Sequence, residues 1–77
     1  MNKARRKTIE IVAASIENAI SELEMCRDEE QCYYDNMPEP LKYGTRGETA
    51  DECINSLDDA ISSLEEALNS VNNSIEQ

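Results

Sequence analysis

Leu57-Asp58-Asp59-Ala60-Ile61-Ser62-Ser63-Leu64-Glu65-Glu66-Ala67-Leu68-Asn69-Ser70-Val71 decides the fold. Its apolar residues recur as L-x-x-A-I-x-x-L-x-x-A-L-x-x-V, the spacing of one face of an α-helix. Ala50, Cys53 and Ile54 continue the pattern backward, and Ile75 carries it forward. The period predicts a helix over about 46–76. In heptad terms Leu57, Leu64 and Val71 take position a, Ala60 and Ala67 take d, and Ile54, Ile61, Leu68 and Ile75 take e.

The first half carries the same stripe. Ile9, Ile16 and Leu23 fall at a, Val12, Ala19, Cys26 and Tyr33 at d, and Ala13, Ile20 and Tyr34 at e. Arg27 and Glu30 interrupt it near its end. A helix over about 3–35 follows. Between the helices lies a connection over about 36–45, where Pro38, Pro40, Gly44 and Gly47 cluster as breakers. Thr45-Arg46-Gly47-Glu48 has the S/T-x-x-E form of a capping box, which would start the second helix.

A short connection makes the two helices antiparallel neighbours. Folding back about residue 40 sets Ile9 level with Val71, Ile16 with Leu64, and Leu23 with Leu57. The expected fold is therefore an all-α antiparallel two-helix hairpin, coiled-coil-like, in a single domain. An a/d seam would leave Ile20, Ile54, Ile61, Leu68 and Ile75 half wet. Pairing of two hairpins into a four-helix bundle would bury them, so a homodimer is expected. A monomeric hairpin and a complex with another chain are the alternatives.

Composition limits the function. The chain has 77 residues, 17 acidic and 7 basic side chains, no histidine, and a formal net charge of -10. Leu, Ile and Val number 14, with no Phe, so the core is small and self-association or a partner is expected. Without histidine, a phosphate loop or a metal-ligand motif, catalysis has little to work with, and no cofactor is expected. The charge opposes direct binding to nucleic acid. No stretch is apolar enough to span a membrane, and the basic start precedes an amphipathic segment unlike a signal peptide. Three cysteines without regular spacing fit a reducing, cytoplasmic setting better than a secreted disulfide framework.

The strongest functional clue is anionic. Asp51-Glu52, Asp58-Asp59 and Glu65-Glu66 repeat every seven residues at b and c, away from the expected seam. Glu10, Glu17 and Glu24 repeat at b on the first helix, and no positive side chain follows Arg46. A solvated helix commonly mixes signs, because opposite charges four residues apart help it. One reading is a surface that imitates a nucleic-acid backbone and engages the basic surface of a nucleic-acid-binding protein. The other is a solubilising face.

Three smaller groups remain. Cys26 and Cys53, both at d, are expected as small core residues nearly opposite each other, where an oxidising setting would let them bridge; Cys32 should face solvent. Tyr33, Tyr34 and Tyr43 join Met37 and Leu41 at the tip, either as a satellite core or as a contact site, with Tyr34 and Tyr43 the candidates. Lys3, Arg5, Arg6 and Lys7 should be neutralised by the acidic end of the second helix, and a weak nucleic-acid contact is the alternative.

The chain resembles the short acidic helical-hairpin proteins of phage and prophage from Gram-positive gut bacteria. The resemblance rests on Lys3-Ala4-Arg5-Arg6-Lys7, Tyr34-Asp35-Asn36-Met37-Pro38-Glu39, Arg46-Gly47-Glu48 and the Leu-x-x-Ala-Ile repeat. Pro40 and Tyr43-Gly44 depart from that pattern. The family has no settled activity and supplies no catalytic residues. It implies a host-takeover or anti-defence inhibitor, or a small accessory protein. The expected function is a non-enzymatic inhibitor, of anti-CRISPR or other anti-defence type. A structural adaptor that binds a partner helix through its apolar face is the alternative. The seam and dimer contacts would be Ile16, Ile20, Leu23, Ile54, Leu57, Ile61, Leu64 and Leu68.

Overall fold

Asn2 starts the first helix: its side-chain oxygen accepts a hydrogen bond from the Arg5 N–H at 2.7 Å, satisfying a donor the helix cannot. The computed structural model describes all 77 residues, with α1 over Lys3–Asp35, α2 over Glu39–Lys42 and α3 over Thr45–Glu76. At the far end of α1 both the backbone N–H and the side-chain amide of Asn36 donate to the Cys32 carbonyl. The two long helices pack along each other as a hairpin of 59 × 14 × 13 Å.

The connection differs from expectation. Pro38 and Pro40 do not merely break a helix; they open one. Pro38 caps α2 and Pro40 lies in its first turn, where a missing N–H costs nothing. The Thr45 capping box does not form. Gly44, in an extended conformation, is the N-cap, so Thr45 is already helical and its backbone carbonyl accepts from the Thr49 hydroxyl instead. Gly47 is buried directly against the backbone of Lys42, which brings α2 onto the first turn of α3.

The seam is rotated by one residue from the a/d expectation. The buried residues of the two long helices are Ala13 on α1 and Gly47, Ala50, Ile54 and Ile61 on α3. Half-buried positions continue the series as Ile9, Ile16, Ile20, Leu23, Glu30 and Tyr34, and as Leu57, Leu64, Leu68, Val71 and Ile75. These are the a and e columns. Of the d column, Val12, Cys26, Tyr33, Cys53 and Ala67 are exposed, while the small Ala19, Ala60 and Ser74 are half-buried at the seam's edge. The reason is apolar area. On α3 each d residue is followed by a larger e residue: Cys53 by Ile54, Ala60 by Ile61, Ala67 by Leu68. Turning the e column inward buries several more methylenes per layer, at about 0.8 kcal/mol each.

The register shifts as well. Arg27 reaches across the seam to Asp58, at 3.2 Å, and also pairs with Asp28 on its own helix. Level with Arg27 therefore stands Asp58, not the residue near 53 that a fold about residue 40 would put there. Taken as the level of the two helices, this pair corresponds to a slide of about one turn, roughly 6 Å. In this register a residues on one helix stand level with e residues on the other: Ala13 with Val71, Ile16 with Leu68, Ile20 with Leu64, Leu23 with Ile61. The slide reflects α2, which takes up chain at the tip.

Candidate functional site

Rotating the seam sorts the remaining columns onto two sides. In an antiparallel pair, equivalent flanking columns fall on the same side, because a twofold axis perpendicular to the plane of the pair relates the helices. The b columns flank the a/e seam on one side and the d columns on the other. Two observations agree. Arg27 turns from the seam toward Asp28 and Asp58 together, placing carboxylates of both helices on one side. At the tip, Tyr33 of α1 and Arg46 of α3 line one cleft, placing the d columns together on the other.

The b side is anionic. Glu10, Glu17 and Glu24 on α1 and Asp51, Asp58 and Glu65 on α3 are all exposed and share this side. In the observed register Glu24 stands close to level with Asp58, and Glu17 with Glu65. The carboxylates thus form rungs about 10.5 Å apart. Glu52, Asp59 and Glu66, at c, lie on the outer edge of α3 directly away from the seam. Only the second member of each acidic pair is opposite the seam, and the first flanks it. Asp51, Asp58 and Glu65 of α3 and the acids of α1, which the sequence places on separate helices, are brought together, whereas Glu52, Asp59 and Glu66 are not.

Arg27 is the cation set among these carboxylates at mid-rod, while Lys3 and Lys7 lie at the far end of the same side. Its hydrogen bonds to the carboxylates of Asp58 and then Asp28 raise its pKa, so it stays charged at any accessible pH. It forms the only ion pairs in the hairpin. Lys3, Arg5, Arg6 and Lys7 make none, contrary to expectation. In the observed register Glu76 stands level with Thr8, on an outer flank of α3, and does not reach them.

The tip and the thiols are corrected by the same rotation. Tyr34, expected to be accessible, lies in the e column and is half-buried, with the Lys42 ammonium 5.1 Å above its ring. Tyr33, one position back, is exposed instead, and Tyr43 is 78% exposed as the open tip contact. Met37 is buried beneath them. Cys26, Cys53 and Cys32 are all free and exposed. Cys26 stands level with Asp58 or Asp59, some five residues from Cys53. The two thiols are not joined, and neither is a core residue.

No three His, Cys, Asp or Glu side chains gather to hold a metal ion. The tip cleft, lined by Glu29, Cys32, Tyr33, Asn36, Met37, Pro38, Leu41 and Arg46, is a shallow, open depression. No helix is long and apolar enough to cross a membrane. No family model, curated protein or solved structure matches the chain.

Proposed function

We propose that the hairpin is a non-enzymatic binding module that lays its anionic side on the basic surface of a nucleic-acid-processing protein and blocks it. Such a protein would serve a phage as an inhibitor of host defence, of anti-CRISPR or related type, acting in the bacterial cytoplasm. The observation that carries this reading is the convergence of the α1 and α3 carboxylates on one side of a rigid rod. On that side two carboxylates per rung of about 10.5 Å give one charge per roughly 5 Å, near the 3.4 Å per charge along one nucleic-acid strand, and Glu52, Asp59 and Glu66 continue the anionic surface onto the outer edge of α3. Over the whole 59 Å rod the net charge of -10 amounts to one per about 6 Å, well below duplex density. The local band, not the entire molecule, is the strand-like element. Its field would speed the encounter with a cationic groove.

The test is reversal of charge. Glu17, Asp59, Glu65 and Glu66 changed together to lysine leave the Arg27–Asp58 pair and the seam intact, so helicity should persist. Against a panel of guide-loaded CRISPR nucleases, the wild type should block DNA cleavage by at least one of them, and the variant should lose at least about 100-fold in potency. Equal potency of the two proteins, or no inhibition by the wild type across the panel, would remove the reading.

The working form in this reading is a homodimer. The original ground for it, a row of e residues left wet, does not apply, since those residues form the seam. A second function class, an adaptor that engages a partner helix, is favoured by the exposed Val12, Cys26 and Tyr33 of the d side.

A further inference from the structure

We propose that a second copy of the chain covers the d side, along Val12, Cys26 and Tyr33 of α1 and Cys53, Ala60 and Ala67 of α3. The proposal rests on the homodimer named above and gives it a face; it does not depend on what the anionic side binds.

Area is the first argument. A compact folded chain of 8.7 kDa exposes about 4,700 Å². This hairpin exposes 5627 Å², an excess of roughly 900 Å², and a standard interface buries about 800 Å² on each partner. One long face covered by a partner would bring the molecule to ordinary surface economy. Only six of 77 residues are buried in the single chain, so stability would gain from the covering.

Charge selects the face and the occupant. Two copies at -10 repel each other through the b side and the outer edge of α3. On the d side, α3 shows cysteine, alanine and serine with no ionised residue between Arg46 and Glu76. The α1 half adds Arg5, Glu22 and Glu29, so with Arg46 the side carries two charges of each sign and is neutral. It is a surface shared by both helices on which this strongly anionic chain can meet itself; the other uncharged row, Ile11, Met25 and Cys32, belongs to α1 alone. A cationic partner would be drawn to the other side.

Shape supports the same occupant. The α3 half is flat and small-residued, permitting close approach of a helix, and the α1 half offers larger side chains at Val12 and Tyr33. A twofold pairing sets α1 of each copy on α3 of the other, matching large against small twice.

Sedimentation equilibrium through the micromolar range tests the face. The wild type should sediment at twice the 8.7 kDa chain mass. Ala60→Glu with Ala67→Glu, which places a helix-favouring residue on the seam's flank, should sediment at one chain mass with unchanged circular dichroism. Asp59→Asn with Glu66→Gln, on the outer edge, should remain at double mass. Alkylation of the dimer gives a second readout: Cys26 and Cys53 should react at least about ten-fold more slowly than Cys32, although all three are exposed in the single chain. A wild type at one chain mass overturns both the homodimer and its face. Double mass retained by the Ala60→Glu, Ala67→Glu protein, or equal reactivity of the three thiols in the dimer, overturns the face and leaves the homodimer. A double-mass wild type that inhibits no nuclease removes the inhibitor reading and leaves the face in place.

Discussion

An added Cβ at Gly47 would overlap the carbonyl group of Lys42, whereas at Gly44 it would meet nothing nearer than the Pro40 carbonyl oxygen at 3.4 Å. Neither glycine has a positive φ, so space and not backbone freedom separates them. Overpacking against fixed backbone costs about 1–3 kcal/mol or more, and the better helix propensity of alanine returns only about 1 kcal/mol. Gly47→Ala should therefore lose about 2 kcal/mol, lowering Tm by roughly 10 °C for a chain of this size. Gly44→Ala should stay within about 0.5 kcal/mol of wild type. Thermal unfolding followed by circular dichroism checks both, and an unshifted Gly47→Ala would mean that α2 does not press on α3. This contact was not legible in the sequence. Gly47 reads there as a breaker or as part of a cap, and nothing local announces a short helix that Pro38 and Pro40 begin.

At the scale of the elements, two adjacent columns competed to face inward. On α1 the contest is undecided by local pattern: the d residue is the larger at Val12-Ala13, the e residue at Ala19-Ile20, and neither at Tyr33-Tyr34. On α3 it is not, because the e residue is the larger at each layer. Both helices, the hairpin and the anionic repeats were legible from periodicity. The facing column was legible too, had side-chain size on α3 been weighed above the habitual a/d choice. From that one rotation follow the half-burial of Tyr34, the exposure of Cys26 and Cys53, and the sharing of one side by Glu17 and Glu65. The slide of one turn was less legible, since it depends on chain consumed by α2. Two isoleucines test the rotation. Ile61 is 5% exposed and Ile11 is 63% exposed. Ile61→Ala should cost about 2–4 kcal/mol and Ile11→Ala less than about 0.5 kcal/mol, by denaturant unfolding. Similar losses at the two sites would contradict the a/e seam.

For the whole molecule, segregation of charge should make the two proposed associations answer salt in opposite ways. Between copies, repulsion of the -10 chains works at a distance while the meeting face is neutral. Added salt shortens the Debye length from about 30 Å at 0.01 M to about 8 Å at 0.15 M and relieves that repulsion. Self-association should therefore tighten with ionic strength. Binding to a cationic target through the b side should weaken over the same range. Titrating salt in sedimentation and in nuclease inhibition should give slopes of opposite sign. Slopes of the same sign would show that one surface serves both events.

The radius of gyration, 17.4 Å, exceeds the roughly 11–12 Å of a globule of this length. In such a rod each layer is braced only by the layers beside it, and the layers are unequal. Five of the six buried residues, Met37, Gly47, Ala50, Ile54 and Ile61, lie from the tip to mid-rod, whereas toward the other end only the small Ala13 is buried and Ile9, Val71 and Ile75 are half-covered. The molecule should therefore unzip from that far end toward the tip, and amide hydrogen exchange along α3 should quicken steadily from Ile54 to Ile75. A partner that grips the frayed end would stiffen the hairpin, while one that grips the tip would find it already set.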